Sequence, residues 1–151
     1  MPPNPTQKPG KGESRCYTVV SLFTGGGGLD IGLEQTGRFA VRACVEKIPA
    51  FCETLRLNRD HGRTKSRELT VFEGDIGELS PSEILATLGM KLGDIDLVVG
   101  GPPCQTFSTT GKRGTVQDPR GTLLWQFLRF IEALKPKMFV MENVRGLMSA
   151  A

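Results

Sequence analysis

The stretch Asp94-Ile95-Asp96-Leu97-Val98-Val99-Gly100-Gly101-Pro102-Pro103-Cys104 decides the fold. Its apolar run, 94–99, is typical of a strand buried inside a parallel sheet. Two glycines end that strand, and two prolines stiffen the turn that follows. Cys104 is therefore expected at the carboxyl end of a core strand, where open α/β sheets bind their ligands. The alternative is an ordinary turn around a buried cysteine, since free cysteines are commonly buried.

The residues after Cys104 predict a polar, basic and flexible loop. Gln105, Thr106 and Ser108 lead into Thr110-Gly111-Lys112-Arg113-Gly114. Positive charge near a thiol favours its thiolate form, and a flexible loop can close over a substrate. The loop therefore makes Cys104 a candidate nucleophile.

Length and composition indicate one globular domain. The 151 residues are 38% hydrophobic and 23% charged, and the net charge of +3 permits a polyanionic partner without requiring one. Residues 1–14 lack an apolar period and predict a disordered leader, so the domain is expected over 15–151. Neither a secretory signal nor a membrane-spanning run is evident, which predicts a cytoplasmic protein.

The cysteines and the single histidine suggest no metal site. The four cysteines show no CxxC pairing and are expected to be reduced thiols, and they are Cys16, Cys44, Cys52 and Cys104. His61 lies in a predicted solvated turn at a helix end. A thiol hydrolase would need a histidine or a second cysteine beside Cys104, and none is placed there.

The first strand, 17–23, runs into the glycine turn Thr24-Gly25-Gly26-Gly27-Gly28 and then into a helix with Leu29, Ile31 and Leu33. Glycines let a backbone approach a ligand closely, and a helix N-terminus offers free N–H groups. The spacing matches neither a dinucleotide fingerprint nor a P-loop. A plain tight turn remains the alternative.

Two acidic residues end the next two strands. The second strand, 39–45, ends at Glu46, where a carboxylate can accept hydrogen bonds from ribose hydroxyls. The third strand, 69–72, leads to Asp75, which could accept from an adenine amino group while Ile76 packs on the ring. Surface exposure for Glu46 and turn formation for Asp75 are the alternatives.

The helices follow apolar periods and capping signals. One begins near Pro49 with Phe51, Cys52 and Leu55 expected to face inward. Ser80-Pro81-Ser82-Glu83 predicts a capping box, followed by a helix that stops at Gly89. In the last helix, Trp125 is expected to pack against the core. The helix carries an apolar stripe of Leu123, Leu124, Phe127, Leu128, Ile131 and Leu134. Lys135-Pro136 ends it before a fifth strand, 138–141, which leads to Glu142.

Alternating strands and helices predict a Rossmann-like, mostly parallel sheet with helices on both faces. The carboxyl ends of parallel strands meet at one edge. The glycine turn, Glu46, Asp75, Cys104 and Glu142 are therefore expected to lie along that edge.

Together these stretches resemble the DNA (cytosine-5)-methyltransferase family in its bacterial restriction-modification form. The matching motifs are Phe23-Thr24-Gly25-Gly26-Gly27-Gly28-Leu29-Asp30, Gly74-Asp75-Ile76, Gly101-Pro102-Pro103-Cys104-Gln105-Thr106-Phe107-Ser108, Asp118-Pro119-Arg120-Gly121-Thr122-Leu123 and Met141-Glu142-Asn143-Val144. The resemblance covers about residues 17–148. Its Pro-Cys-Gln and Glu-Asn-Val motifs are highly specific in this order and spacing.

The resemblance implies a Rossmann-like methyltransferase fold that uses S-adenosyl-L-methionine. The implied cofactor-binding residues are Phe23, Thr24, Gly25, Gly26, Gly27, Gly28, Leu29, Glu46, Lys47, Asp75, Ile76, Pro102 and Leu123. The implied catalytic residues are Cys104 as nucleophile, Glu142 at the cytosine ring, and Asn143 holding the turn that contains Pro103. The implied DNA-binding residues are Gln105, Ser108, Thr110, Gly111, Lys112 and Arg120.

The chemistry of cytosine explains these residue types. Cytosine C5 is a poor nucleophile until the Cys104 thiolate adds to C6, and Glu142 would hydrogen-bond or protonate N3 as charge develops on the ring. Loss of the C5 proton and of the thiol then restores aromaticity. The base must first be flipped out of the duplex.

The family normally continues with a further catalytic strand, a target-recognition domain and a terminal helix, which this sequence lacks. The resemblance therefore implies an amino-terminal part, inactive alone, that acts on double-stranded DNA. The missing carboxyl-terminal half is a candidate partner as a second polypeptide. A non-catalytic partner subunit and an RNA (cytosine-5)-methyltransferase relative remain alternatives.

Overall fold

The computed structural model describes residues 15–64, 66–103 and 122–142. In these ranges five strands alternate with four helices. In chain order the elements are β1 Tyr17–Leu22, α1 Gly28–Gln35, β2 Phe39–Glu46, α2 Pro49–Asp60, β3 Thr70–Glu73, α3 Pro81–Leu88, β4 Leu97–Gly100, α4 Thr122–Leu134 and β5 Met138–Met141. The proposed disordered leader lies outside the described residues.

The five strands form one parallel sheet in the order β3-β2-β1-β4-β5. The chain moves outward from β1 to β3, returns to β4 and continues to β5. The order therefore reverses between β1 and β4, which is where open α/β sheets form a crevice at their carboxyl edge. The predicted Rossmann-like architecture is confirmed.

Each face of the sheet carries its own core, because successive side chains of a strand point to opposite faces. Val19 of β1 packs in one core with Val41 of β2 and Leu55 of α2. Val20, the next residue, packs in the other core with Ile84 of α3 and Phe127 of α4. Helices therefore cover both faces, with α2 on one side and α3 and α4 on the other.

Several local predictions are wrong. Phe51 is 41% exposed and Trp125 is 69% exposed, so neither contributes the packing expected of it. Ser80 is the N-cap of α3, but its hydroxyl makes no capping hydrogen bond and lies 2.7 Å from the Ser82 hydroxyl. The predicted proline at the first turn of α3 and the predicted end of the helix at Gly89 are confirmed, and Gly89 adopts a left-handed conformation. No helix among the described residues is long and apolar enough to cross a membrane.

Strand β4 begins at Leu97 and not at Asp94, because Asp96 has another role. Its carboxylate is 6% exposed and accepts from the Thr18 backbone N–H at 2.9 Å and from Arg15 at 2.8 Å, and it also pairs with Lys137. The Asp96 carbonyl accepts from the Met138 N–H at 3.0 Å. Asp96 therefore fastens β1, β4 and β5 together at the amino edge of the sheet.

We expect Asp96→Ala to lower the free energy of unfolding by about 2 kcal/mol, since the buried Thr18 N–H loses its acceptor. Arg15 and Lys137 are about half exposed and can be solvated, which limits the loss. Denaturant unfolding measures the change. Asp60→Ala, which removes an exposed carboxylate paired with Arg59, is the control and should cause no measurable change. Equal stability of the two variants would contradict the role of Asp96.

Candidate active site

The carboxyl ends of the five strands follow one another along a single edge of the sheet. Given the strand order, the residues met along this edge are Asp75 after β3, Glu46 at the end of β2, the glycine turn after β1, 101–103 after β4 and Glu142 after β5. The predicted convergence of these strand ends is therefore observed for the described residues.

The glycine turn exposes its backbone to solvent. Gly25 and Gly27 have positive φ angles of 57° and 83°, and even Phe23 has a φ of 54°. A Cβ at Gly25 or Gly26 would meet no atom within 4 Å, whereas one at Gly27 would lie 2.9 Å from Leu55 Cδ2. The turn is thus anchored on α2 at Gly27 and open at Gly25 and Gly26, where a ligand could approach the backbone.

Thr24 anchors the start of the turn. Its hydroxyl donates to the Ser21 carbonyl at 3.2 Å, and its N–H donates to the Val45 carbonyl at 3.3 Å. Leu29 is the second residue of α1 and is 42% exposed. Of the predicted cofactor residues of the first motif, Gly26, Gly28 and Leu29 are therefore exposed, whereas Gly27 is buried.

Glu46 is 7% exposed, and its carboxylate is held by backbone groups. Oε2 accepts from the Gly25 N–H at 2.7 Å, and Oε1 accepts from the N–H groups of Lys47 and Ile48 at 2.8 Å each. A carboxylate has about four acceptor positions, so about one remains for a ligand hydroxyl. Glu46 therefore ties the glycine turn to the β2 end and keeps limited capacity for a further hydrogen bond.

Asp75 lies beyond Glu46 on the same edge. Its Oδ2 accepts from Lys47 Nζ at 2.7 Å and its Oδ1 from the Gly77 N–H at 2.9 Å. The hydrogen bond from Lys47, followed by that from Gly77, lowers the pKa of Asp75 below its ordinary value. Asp75 is therefore an ionised acceptor at the position predicted for an adenine contact.

Arg129 of α4 positions the segment after Asp75, a role that the sequence did not indicate. Its Nη2 donates to the carbonyls of Ile76 at 2.6 Å and Leu79 at 3.0 Å. Ile76 is 4% exposed and packs in the core beside Phe127. Most of the Ile76 side chain is therefore in the core, and little of it is available to a ligand.

Glu142 lies directly over the turn that follows β4. Its N–H donates to the Gly100 carbonyl at 2.9 Å. A Cβ added at Gly101 would lie 2.9 Å from Glu142 Oε2 and 3.6 Å from the Glu142 carbonyl oxygen. Because Gly101 has no side chain, the Glu142 carboxylate can lie against the backbone that leads to Cys104.

The structure also describes Pro102 and Pro103 of this turn and Leu123 of α4. Pro102 is buried, Pro103 is exposed, and Leu123 at the start of α4 packs against the core that contains Phe127. Cys104 and Asn143 lie outside the described residues, as do the predicted DNA contacts Gln105, Ser108, Thr110, Gly111, Lys112 and Arg120.

A buried carboxyl group lies behind the glycine turn. Asp30 is 6% exposed, its Oδ2 accepts from Cys44 Sγ at 3.4 Å, and its Oδ1 has no partner in the described structure. Burial raises the pKa of Asp30, hydrogen bonds from Ser21 and Cys44 partly offset this, and the nearby charge of Glu34 adds to the rise. The raised pKa means that Asp30 holds a proton more tightly in the folded protein than in the unfolded chain.

We expect Asp30→Asn to raise the free energy of unfolding by about 1 kcal/mol at slightly alkaline pH, because the amide carries no charge to desolvate. Asp30 stabilises the fold fully below its unfolded pKa of 3.8 and loses this contribution as the pH rises through its folded pKa. The difference in free energy of unfolding between Asp30→Asn and wild type should therefore shrink towards pH 4. Urea unfolding across pH measures it, with the exposed Glu53→Gln as control, and a pH-independent difference would contradict the prediction.

Among the residues that the structure describes, no group of three or more His, Cys, Asp or Glu side chains could hold a metal ion. No disulfide bond joins any two of Cys16, Cys44 and Cys52.

Comparisons with known proteins find relatives over most of the chain. A family model described as C-5 cytosine-specific DNA methylase matches residues 17–151. The chain is 45% identical over 131 residues to the Type II methyltransferase M.AquIA of Picosynechococcus sp., covering 87% of this chain and 50% of that protein. It is 42% identical over 134 residues to M.PspPI of Psychrobacter sp., covering 89% of this chain and 29% of that protein. The chain thus spans half or less of the length of these relatives.

Solved structures show the same fold at lower identity. A mutant of DNMT2 from Spodoptera frugiperda matches with a TM-score of 0.61 and 21% identity, covering 89% of this chain and 38% of that one. The glycopeptide N-methyltransferase MtfA, complexed with sinefungin, matches with a TM-score of 0.52 and 15% identity, covering 83% of this chain and 42% of that one. Because the family model matches residues 17–151, which is most of the chain, the chain belongs to the C-5 cytosine-specific DNA methylase family.

Proposed function

We propose that this chain supplies the S-adenosyl-L-methionine site and the cysteine nucleophile of a DNA cytosine-C5 methyltransferase of the restriction-modification type. The observation that carries the proposal is the order of groups along the sheet edge. Asp75 and Glu46 come first, the open glycine turn lies in the middle, and the Gly101–Glu142 contact comes last. The proposed substrate is double-stranded DNA, so we expect the protein to act in the cytoplasm, on the bacterial chromosome.

The residues on this edge fit the cofactor. Gly25 and Gly26 leave their backbone open, and Glu46 keeps about one free acceptor position for a ribose hydroxyl. Asp75 offers an ionised acceptor for an adenine amino group. The fold neighbour MtfA was solved with sinefungin, an analogue of the same cofactor. When bound, S-adenosylmethionine supplies the methyl group that cytosine C5 accepts.

The chain's own residues activate the base. The Cys104 thiolate adds to C6 of a flipped cytosine, which makes C5 nucleophilic. Glu142 hydrogen-bonds N3 and stabilises the electron density that moves onto the ring. Methyl transfer to C5 would leave S-adenosylhomocysteine. A solvent water then takes the C5 proton, the C5–H electron pair re-forms the C5–C6 double bond, and the C6–S bond breaks with the Cys104 thiolate as leaving group.

The outer edge of the sheet supports a role for a second polypeptide. Met138 is 63% exposed, Phe139 51% and Val140 43%, and β5 is the last strand of the described sheet. An exposed apolar edge strand is suited to pairing with another strand. We propose that the remaining part of the methyltransferase fold, supplied as a second polypeptide, packs on β5.

The function is tested by transfer of a labelled methyl group from S-adenosylmethionine to duplex DNA. The chain is assayed alone and with the part of M.PspPI that lies outside its match to this chain, the match covering 29% of that protein. We expect no transfer alone and transfer to duplex DNA with this second polypeptide, while tRNA stays unlabelled. Labelling of tRNA in place of DNA would favour an RNA methyltransferase, and robust methylation by the chain alone would refute the need for a second polypeptide.

A further inference from the structure

Basic residues lie in each segment that leads into a strand of the described sheet. All of them are exposed, and in chain order they are Arg15 before β1, Arg38 before β2, Arg63 and Arg67 before β3, Lys91 before β4, and Lys135 and Lys137 before β5. Because the five strands are parallel, these segments all lie at the amino edge of the sheet. The amino edge therefore carries a row of cations on the side of the domain opposite the candidate active site.

Several acids of this edge already have a basic partner. The pairs are Asp96 with Arg15 and Lys137, Asp60 with Arg59, and Glu68 with Arg42. A second group of cations forms no ion pair with another residue that the structure describes, and its members are Arg38, Arg63, Arg67, Lys91 and Lys135. The exposed acids Asp94 and Glu132 lie near them without forming such a pair either, and these two acids are too few to balance the cations. The amino edge therefore has a surplus of positive charge.

Helix dipoles account for little of this surplus. Basic residues are favourable in the last turn of a helix, where they complement its negative end. Among the four described helices, α2 has Arg59 in its last turn, and this arginine is paired with Asp60. The last turns of α1, α3 and α4 contain no basic residue. The unpaired cations lie beyond the helices, where they are available to a partner.

The length of the row suits the backbone of a nucleic acid. Neighbouring strands are about 4.8 Å apart, so a row that crosses five strands is about 20 Å long. Each strand of duplex DNA has one phosphate about every 3.4 Å along the helix axis, so this row faces about six base pairs. The guanidinium groups of Arg38, Arg63 and Arg67 match the geometry of phosphate oxygens. A linear polyanion therefore fits the row in both charge and length.

The amino edge and the candidate active site face different stretches of DNA. Strand β1 has six residues, which separates the two edges of the sheet by about 20 Å. Duplex DNA is stiff over about 150 base pairs, so a short duplex does not bend around the domain from one edge to the other. A duplex at the amino edge is therefore a second segment.

We propose that the amino edge is a second, sequence-independent DNA-binding surface, at which Arg38, Arg63, Arg67, Lys91 and Lys135 bind phosphate groups. The inference takes DNA as the polyanion from the proposed function, but it requires neither methyl transfer nor a bound cofactor. Contacts to phosphates carry no sequence information and allow a protein to slide and hop along DNA. This surface keeps the protein on DNA while the carboxyl edge remains free to meet a target base on another segment.

Fluorescence anisotropy with a labelled duplex tests the proposal on the whole chain. The duplex has about 20 base pairs, all of them A·T, so that it covers the row and offers no cytosine to the candidate active site. The triple variant Arg38→Gln/Arg67→Gln/Lys135→Gln removes three phosphate contacts. It should weaken binding by about 30-fold or more at low salt, and the slope of log affinity against log salt concentration should become shallower by about 2.7, at about 0.9 for each contact.

A matched control separates this surface from a general loss of charge. Arg56→Gln removes an exposed arginine of α2 that pairs with Glu73 at 2.7 Å, and it should bind the duplex within about 2-fold of wild type. The single variants Arg38→Gln and Lys135→Gln should each make the slope shallower by about 0.9, which preserves the test if circular dichroism shows that the triple variant is unfolded.

Three results would refute the surface: no binding of the duplex by the wild-type chain, an unchanged slope in a folded triple variant, or equal losses in Arg38→Gln and Arg56→Gln. Failure of the completed enzyme to methylate DNA, together with the expected losses of duplex binding, would refute the proposed function and support the amino-edge surface.

Discussion

Glu46→Ala is expected to weaken S-adenosylhomocysteine binding by about 100-fold or more, which corresponds to about 2.7 kcal/mol. The variant loses the acceptor of three backbone N–H groups, those of Gly25, Lys47 and Ile48. The glycine turn is then no longer tied to the end of β2, and the ribose contact is lost as well. Calorimetry measures the binding, and thermal unfolding shows how much of the loss comes from the fold.

The opposite result is expected for Cys104→Ser. Serine is not ionised at neutral pH and cannot replace a thiolate as a nucleophile, so methyl transfer by the completed enzyme should fall by about 10⁴-fold or more. Binding of S-adenosylhomocysteine should stay close to wild type, since the Cys104 thiol is assigned to the cytosine base and not to the cofactor. Equal losses of cofactor binding in the two variants would show that the division between cofactor site and nucleophile is wrong.

Two further variants make the comparison sharper. Glu46→Gln keeps one carbonyl acceptor and should fold even if Glu46→Ala does not. It should still weaken cofactor binding. Glu73→Ala removes a carboxylate at the end of the neighbouring strand, which pairs with Arg56. It should leave cofactor binding unchanged, because this acid lies outside the proposed site.

The sequence was sufficient to place the strand ends but not the contacts between them. Consecutive apolar residues such as Val19 and Val20 predict a strand covered on both faces, and the turn after each strand is visible in its glycines and prolines. The position of Glu46 at the end of β2 follows from this pattern. The three backbone N–H groups that donate to Glu46 cannot be predicted from this pattern, because their positions depend on how the chain folds back after β1 and β2.

Long-range partners explain most of the remaining differences. Lys47 and Asp75 are 28 residues apart in sequence, and Arg129 is 53 residues from the Ile76 carbonyl that it holds. Apolar periodicity cannot reveal such pairs, because they form between polar groups of different elements. The exposed Trp125 is a related case, since aromatic residues are usually assigned to the core on composition alone.

The glycine at the end of β4 sets how closely the two central strands can approach. Gly100 pairs with Leu22 of β1, and an added Cβ would lie 2.5 Å from the Leu22 carbonyl oxygen and 3.0 Å from Phe127 Cε2. The first contact is with backbone, which cannot rotate away as the end of a flexible side chain can. The sheet must therefore open where β1 and β4 meet, next to both the glycine turn and the turn before Cys104.

We therefore expect Gly100→Ala to lower the free energy of unfolding by about 3 kcal/mol, at the upper end of the usual cost of overpacking. For a domain of this size the melting temperature should fall by about 6–12 °C. Gly32→Ala in α1 is the matched control, because a Cβ there meets no atom within 4 Å. It should stabilise the chain by about 0.5–1 kcal/mol through helix propensity. Because Gly100 precedes the turn on which Glu142 rests, Gly100→Ala should also weaken S-adenosylhomocysteine binding, and a variant that kept wild-type stability would show that β1 and β4 are not in this close register.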